Sequence, residues 1–155
     1  MDDGRIFDEL HPALRRFAAV VCPPDLEVDD LLQEALARTL RVGPLSDLAD
    51  PLVYLRRVVA NLAINHRSSF TRRAGIQSRV GRPELESVDQ HTSDLDELRR
   101  LPADQRAVLY LHVVEGAPHD EIADVLGITP EASRARLSRG LKALRIHLAD
   151  QEVPT

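Results

Sequence analysis

Cations recur at helical spacing near the end of the chain. Five of them lie at Arg134, Arg136, Arg139, Lys142 and Arg145, and leucines at 137, 141, 144 and 148 recur at intervals of four, three and four. This spacing predicts a helix with one buried apolar face and cations on its other faces. Guanidinium groups bind phosphates, and arginine also pairs with guanine edges in the major groove of DNA. The pattern therefore indicates nucleic-acid binding.

The residues before these cations predict that they belong to the second helix of a helix-turn-helix. Apolar residues at helical spacing predict a first helix over about 118–126, with Pro118 in its first turn. Gly127 suits the left-handed residue that ends a helix, Thr129 is a good N-cap, and Pro130 suits the first helical position. A helical hairpin with no role in DNA binding would not require the glycine turn, the cap and the arginines together.

The net charge of −5 is unevenly distributed along the 155 residues. Residues 51–82 hold seven arginines and no acidic residue, whereas residues 83–130 hold eleven acidic residues and three cations. Charges act over about 8 Å at physiological salt, so a local basic block attracts phosphate whatever the total charge. The distribution predicts two basic patches that face DNA.

Composition and motifs exclude several classes of function. Cys22 is the only cysteine, which excludes an internal disulfide and a thiolate metal cluster and favours a small buried hydrophobic role. No histidine pairs with a ligand at metal-binding spacing, and no phosphate loop or nucleophile motif occurs. We expect no metal, no cofactor, no small-molecule substrate and no enzymatic activity. The chain shows no signal peptide and no apolar run of transmembrane length, so we expect it in the cytoplasm.

Apolar periodicity predicts an all-α fold with two small helical bundles joined by a flexible linker. Helices are predicted over about 5–21, 27–42 and 51–69, and a break is predicted at the Cys22-Pro23-Pro24 sequence. The second helix should face inward at Leu31, Leu32, Ala35, Leu36, Thr39 and Leu40, and the third at Leu55, Val58, Val59, Leu62 and Ala63. We predict a first domain over 1–69, a linker over 70–93, and a helix-turn-helix domain over 94–150.

Three motifs resemble the extracytoplasmic-function (ECF) group of the sigma-70 family of RNA polymerase sigma factors. They are DDLLQEAL at 29–36, YLRRVVANLAIN at 54–65, and the segment from LPADQ to LKAL at 101–144. The resemblance covers about residues 5–70 and 95–148, and the three motifs lie in the family's order. It implies a region 2 domain that binds core polymerase and melts the −10 promoter element, and a region 4 domain that binds the −35 element.

The resemblance also implies residue roles and partners. Contacts to the polymerase clamp helices are expected from Asp30, Leu31, Gln33, Glu34 and Arg38. Contacts to the −10 element are expected from Tyr54, Arg56, Arg57, Asn61, Asn65 and Arg67. Contacts to the −35 element are expected from Thr129, Glu131, Arg134, Arg136, Ser138 and Arg139. The implied partners are core RNA polymerase (its clamp helices and flap), promoter DNA and, as a further candidate, an anti-sigma factor.

Several of these roles keep an alternative. Tyr54 could stack on a base or simply pack, and we favour packing. Asn61 could be a surface amide with no partner, and the face that carries Asp30, Gln33 and Glu34 could be merely solvated. The loop over 43–51 corresponds to the place where the family captures a flipped −10 base, an assignment that rests on the resemblance alone.

Two residues depart from the family pattern. Ala60 stands where the family often has arginine, which removes a phosphate contact. Ser133 stands where valine is usual, and its hydroxyl could bond back to the carbonyl of Thr129 and loosen the recognition helix. With few aromatic residues to stack on a single strand, we expect a sigma factor that depends on both promoter elements.

Two other binding proteins remain as alternatives. A helix-turn-helix regulator would bind duplex DNA without polymerase, but it would not need the acidic helix at 27–42 or the acid-free block at 51–82. A sigma-like protein could also exist mainly in protein complexes, with both DNA-facing surfaces masked by an inhibitor.

Overall fold

Six α-helices can be described in full in the parts of the chain that the structure describes. The computed structural model describes the backbone of residues 2–77 and 98–151, and the side chains of residues 2–66 and 98–145. The helices are α1 (Asp3–Val21), α2 (Val28–Val42), α3 (Pro51–Gln77), α4 (Ala103–Leu109), α5 (His119–Leu126) and α6 (Pro130–Gln151). No strand occurs in the described parts of the chain, and the all-α prediction is confirmed.

Helices α1, α2 and α3 form the first bundle. Helix α1 ends at Val21 because Cys22 and the two prolines after it leave the helical conformation. Helix α3 begins as predicted, since the Asp50 carboxylate accepts a hydrogen bond from the Val53 amide at 3.2 Å. A 3-10 turn at Leu45–Asp47 closes the loop between α2 and α3, and the Asp3 carboxylate accepts from the Leu45 amide at 3.0 Å.

The apolar faces of α2 and α3 agree with the sequence except at a few positions. The fully buried members are Leu31, Leu32, Ala35, Thr39, Leu55, Val59 and Ala63. Leu36, Val58 and Leu62 are half-buried. The inward prediction for Leu40 is wrong: it is 41 % exposed, whereas the neighbouring Thr39 is buried.

Helix α3 is longer than the sequence predicted. It runs to Gln77, so the first eight residues of the predicted linker are helical. The apolar periodicity that marked the helix fades at Ser69, but backbone hydrogen bonding continues without it. Residues 78–93 of the predicted linker lie outside the described residues.

The second bundle consists of α4, α5 and α6. A π-helical turn at Tyr110–Val114 extends α4, and the Glu115 amide donates to the Tyr110 carbonyl at 3.2 Å. Pro118 occupies the N-cap of α5 rather than its first turn. Gly127 adopts the predicted left-handed conformation, with φ 70°. The Thr129 hydroxyl caps α6 by accepting from the Ala132 amide at 3.0 Å, as predicted.

Helix α6 packs through small residues. Ser133 is fully buried, and Gly140 is also buried. The leucines predicted to be buried are only half-buried at 137, 141 and 144, and Leu148 lies outside the described side chains. An ideal Cβ built on Gly140 would lie 2.9 Å from Leu109 Cδ1, which shows how closely α6 approaches α4.

The two bundles share one apolar core. Helix α4 packs against α1 and α3, and α5 packs against α3. The Phe17 ring of α1 lies 6.1 Å from the Tyr110 ring, centroid to centroid. The described parts of the two bundles therefore form a closed arrangement, which the sequence did not predict.

The single cysteine lies near the junction of the bundles. Cys22 is 7 % exposed, and its thiol donates to the Leu26 carbonyl at 3.2 Å. Burial raises the pKa of this thiol to about 11, against a smaller opposing effect of the nearby Arg106 charge. The predicted role as a small buried hydrophobe is confirmed.

Candidate nucleic-acid interface

The polar face of α2 is open to solvent. Asp30, Gln33, Glu34 and Arg38 are all exposed. Arg38 Nε donates to Glu34 at 2.8 Å, and this hydrogen bond holds the pKa of Glu34 below its ordinary value. Leu31 differs from the other predicted polymerase contacts because it is only 2 % exposed. It supports the face from the core, and its expected contact with polymerase stays a prediction.

A groove between α2 and α3 brings together three of the predicted −10 residues. Tyr54, Asn61 and Asn65 line a cavity of about 240 Å³ with Arg38 and Val42. Tyr54 is half-buried, whereas Asn61 and Asn65 are exposed. The amides and the Arg38 guanidinium supply hydrogen-bonding groups beside an apolar wall. Such a groove suits an unstacked base.

Arg56 does not belong to this groove. It lies on the other side of α3, is 7 % exposed, and donates to the Glu115 carboxylate of the second bundle at 2.5 Å. Its guanidinium carbon lies 5.4 Å from the centroid of the Phe17 ring, within cation–π range. Its buried Nε has no hydrogen-bond acceptor among the described residues, which costs about 1–3 kcal/mol. The structure therefore places Arg56 between the two bundles, and its expected contact with the −10 element stays a prediction.

Arg57 also contacts the second bundle. Its Nη2 donates to the Asp124 carbonyl, and its Nε donates to the Val125 carbonyl at 3.4 Å. These carbonyls lie in the last turn of α5, at the negative end of the helix dipole. The sixth predicted −10 residue, Arg67, lies on α3, and its side chain is outside the described set.

Arg106 connects the two bundles from the α4 side. It is 2 % exposed, and its Nε and Nη2 donate to the carbonyls of Val20 and Val21 at 2.8 and 2.9 Å. Its Nη1 donates to the carbonyls of Leu101 and Arg99 at 2.6 and 3.2 Å. The fork of guanidinium donors thus binds carbonyls from both bundles at once. Sequence reasoning missed this residue, because its partners on α1 are 85 and 86 positions away.

The recognition helix α6 presents most of its predicted contacts to solvent. The exposed residues are Thr129, Glu131, Arg134, Ser138 and Arg139. Arg134 forms a loose ion pair with Glu131 at 3.9 Å, which costs little to break at the surface. Arg136 differs: it is half-buried and pairs with Asp104 of α4 at 3.4 Å. That pairing ties Arg136 to the bundle in this state.

Ser133 links the two helices of the helix-turn-helix. Its hydroxyl lies 2.8 Å from Nδ1 of His119, and only its backbone amide bonds to the Thr129 carbonyl. The predicted back-bond of the hydroxyl is therefore wrong, and the buried hydroxyl is satisfied by a cross-helix partner. His119 stacks on His112 at 4.7 Å between ring centroids. Burial, then the charges of His112 and Arg134, lower the pKa of His119.

Ala60 is also part of the shared core. It is 2 % exposed and lies one turn along α3 from Arg56. The arginine expected there from the resemblance would not fit without displacing that core. The small residue at position 60 is thus consistent with the closed arrangement.

Comparison with known proteins assigns both bundles. Residues 6–73 match the family model for Sigma-70 region 2, and residues 95–144 match the model for Sigma-70 region 4. The RNA polymerase sigma-E factor of Streptomyces coelicolor is 32 % identical over 91 % of this chain and 82 % of that relative. The ECF RNA polymerase sigma factor SigL of Mycobacterium tuberculosis is 29 % identical over 94 % of this chain and 88 % of its own length.

A solved structure shares the fold. The sigma factor RpoE of Bartonella quintana, crystallised with the anti-sigma factor NepR, superposes with a TM-score of 0.66. It is 20 % identical, and the match covers 94 % of this chain and 96 % of that one. With two region matches in order and a relative that is similar over most of its length, the chain belongs to the ECF group of sigma-70 family RNA polymerase sigma factors.

Proposed function

We propose that this sigma factor binds core RNA polymerase through the exposed face of α2 and reads promoters with α3 and α6. The observation that carries the proposal is the presence, on one chain, of both matched regions with the α2 face and the recognition helix open to solvent. The α3 groove would hold a base of the −10 strand, and the arginines of α3 would bind its phosphates. The outward residues of α6 would bind the −35 duplex.

The assignment has consequences for chemistry, location and partners. The family initiates transcription by directing polymerase, so the chain itself would supply no catalysis. No described helix is long and apolar enough to cross a membrane, and we place the protein in the cytoplasm with the polymerase. An anti-sigma factor is a further candidate partner, since the Bartonella relative was crystallised with one.

A regulator that binds DNA without polymerase is the competing function. The match to region 2 over residues 6–73 counts against it, because such a regulator has no use for that domain. Retention on immobilised core polymerase, followed by run-off transcription from a promoter library, separates the two. Duplex binding with no retention and no transcription would refute the sigma assignment.

The polymerase surface can be tested with a pair of matched variants. Glu34 and Glu9 are exposed acids that each pair with an arginine four positions away, on α2 and α1 respectively. We expect Glu34→Arg to weaken retention on core polymerase about tenfold, because rim charges set association with a complementary surface. Glu9→Arg should retain the affinity of the wild type, and equal loss in both variants would contradict the assignment.

The −35 contacts can be tested within α6. Arg134→Ala should lower discrimination at one base pair by about 1–3 kcal/mol if it pairs with guanine. If it binds only phosphate, affinity should fall equally on all sequences and the salt slope should drop by about one. Arg5→Ala, which removes an exposed arginine from α1, is the control. If neither discrimination nor the salt slope changes, Arg134 does not contact DNA.

A further inference from the structure

Two histidines and a serine form a polar cluster inside the helix-turn-helix domain. His112 lies on the π-helical turn, His119 in the first turn of α5, and Ser133 on α6. The two imidazole rings are stacked, with 4.7 Å between their centroids and 12° between their planes. We propose that this cluster couples binding of the −35 duplex to the uptake of one proton, so that affinity for DNA rises as the pH falls. The inference rests on the proposed function, which assigns α6 to the −35 duplex.

The hydrogen bonds of the cluster allow its rings to accept a proton. His112 Nδ1 donates to the Ala117 carbonyl at 3.1 Å, so its Nε2 is the nitrogen that can take up a proton. His119 Nδ1 lies 2.8 Å from the Ser133 hydroxyl oxygen. A hydroxyl donates to an unprotonated nitrogen and accepts from a protonated one. His119 can therefore change its charge while Ser133 keeps its partner, which a valine at this position would not permit.

The stacking limits the pair to one proton. Two charged imidazoles at this separation repel each other, so the first proton strongly disfavours the second. Interacting groups of this kind titrate as a pair, and the proton belongs to both rings together. The cluster should therefore contribute one proton, not two, over the range in which histidine titrates.

The surroundings of His119 keep the proton off in the free chain. Burial lowers the pKa of its ring, as do the charges of His112 on the turn and Arg134 on α6, whereas Asp120 of α5 raises it. Helix α3 also packs against α5, but its Arg57 contacts the last turn of α5 and not the first.

The acidic groups close to these cations are themselves paired. Glu115, on the turn that carries His112, binds Arg56 of α3 at 2.5 Å. Glu131 lies 3.9 Å from Arg134 in a loose surface pair. The free cluster therefore has a cationic neighbour in Arg134 that a stronger anion can neutralise.

DNA supplies that anion. Arg134 is exposed and directly follows the buried Ser133, so a phosphate or base bound by Arg134 brings negative charge toward the cluster. The first helix of a helix-turn-helix crosses the DNA backbone, which brings further phosphates toward the α5 end of the cluster. A nearby anion favours the protonated imidazole. Because the pKa of the pair is then higher in the complex than in the free chain, binding takes up a proton and tightens as the pH falls.

The first test measures the affinity of the full-length chain for a short duplex that carries a promoter selected by run-off transcription. We expect about fivefold tighter binding at about pH 5.5 than at about pH 7.5, with a slope of log affinity against pH no steeper than about −1. His119→Asn keeps a polar group near the Nδ1 position but cannot titrate, and it should lose most of this rise. His11→Asn on α1, whose ring contacts Phe7, is the control and should keep it.

The second test counts the proton directly. The heat of binding is measured by calorimetry at about pH 6 in two buffers with different heats of ionisation, and we expect an uptake of about half a proton per duplex. Ser133→Thr keeps the hydroxyl and should preserve the uptake. Ser133→Val has the same size as Ser133→Thr but removes the hydroxyl, and it should reduce the uptake. Circular dichroism at each pH confirms that each variant is folded.

The outcomes separate the inference from the proposed function. Tighter binding at low pH, with an uptake that depends on His119 and on the Ser133 hydroxyl, supports the inference. An affinity that is constant or falls as the pH drops overturns it, as does a rise that His119→Asn and Ser133→Val retain in full. A chain that binds no duplex at any pH and supports no promoter-directed transcription would refute the proposed function, and the inference with it.

Discussion

The hydroxyl of Ser133 shows how one polar residue can be accommodated inside a helix-turn-helix. It is fully buried at the crossing of α5 and α6 and bonds to His119, which in turn stacks on His112. A valine would fill the same space without a hydrogen bond. The hydrogen bond makes the crossing of α5 and α6 depend on the orientation of these two side chains as well as on their shape.

Stability should therefore depend on pH through His119. Its pKa is lowered in the folded chain, so the unfolded state binds more protons just below the ordinary value of 6.5. The contribution of His119 to the free energy of unfolding should be complete above about pH 6.5. It should be lost as the pH falls from about 6.5 through the pKa of the folded state. Urea unfolding of His119→Asn, which keeps a polar group near the Nδ1 position, should show a flatter pH profile.

The same substitution at His11 of α1 is the control. Its ring contacts Phe7 and lies outside the helix-turn-helix. A profile as steep in His119→Asn as in the wild type would assign the pH dependence to other groups.

In helix α6, the positions that pack against other helices differ from the positions predicted to bind DNA. Its most buried positions are Ser133 and Gly140, which let the helix lie close to its neighbours. Its leucines are half-buried, and its exposed positions carry the predicted DNA contacts. The close approach depends on the absence of a side chain at Gly140, where Leu109 occupies the space.

Gly140→Ala should show the conflict between helix propensity and packing. In an open helix this change gains about 1 kcal/mol. Here the new methyl would meet Leu109 Cδ1 at 2.9 Å, so we expect no gain or a net loss in the free energy of unfolding. In a Leu109→Ala background, where the space is empty, the same change should stabilise the protein.

A double-mutant cycle by urea unfolding measures this coupling. Additive effects of the two substitutions would show that Leu109 moves aside freely and that Gly140 is not a packing constraint.

For the whole molecule, Arg106 is the residue on which both bundles converge. Its donors bind carbonyls at the end of α1 and before α4. Because it is nearly inaccessible to water, its loss would leave several carbonyls without partners. The two bundles should therefore be thermodynamically coupled through it, in addition to their shared core.

Arg106→Lys should lower the free energy of unfolding by about 2–4 kcal/mol, because an ammonium cannot reproduce the planar fork of donors. Chemical denaturation followed by circular dichroism measures the loss. Arg145→Lys, on the exposed side of α6, should stay within about 0.5 kcal/mol of the wild type. A loss below about 1 kcal/mol for Arg106→Lys would show that water or lysine satisfies these carbonyls.

Contacts within a few positions of the chain could be predicted from the sequence, whereas contacts between the bundles could not. Helix ends at Asp50, Gly127 and Thr129 were predictable, because caps and left-handed glycines act within a few positions. The pairing of Arg56 with Glu115 spans 59 positions, and no local pattern encodes it. The exposure of the polar residues on α2 and α6 could be predicted, because solvent surrounds them. The burial of Arg56 could not, because it depends on contact with another bundle.

Helix α6 packs through one set of positions and exposes another, and this separation has an evolutionary consequence. Positions 131, 134, 138 and 139 contribute little to the packing that holds the helix, which relies on Ser133 and Gly140. A library randomised at those four positions should therefore yield mostly folded proteins with altered promoter preferences. A lineage could change the genes it switches on without first having to rescue a destabilised fold.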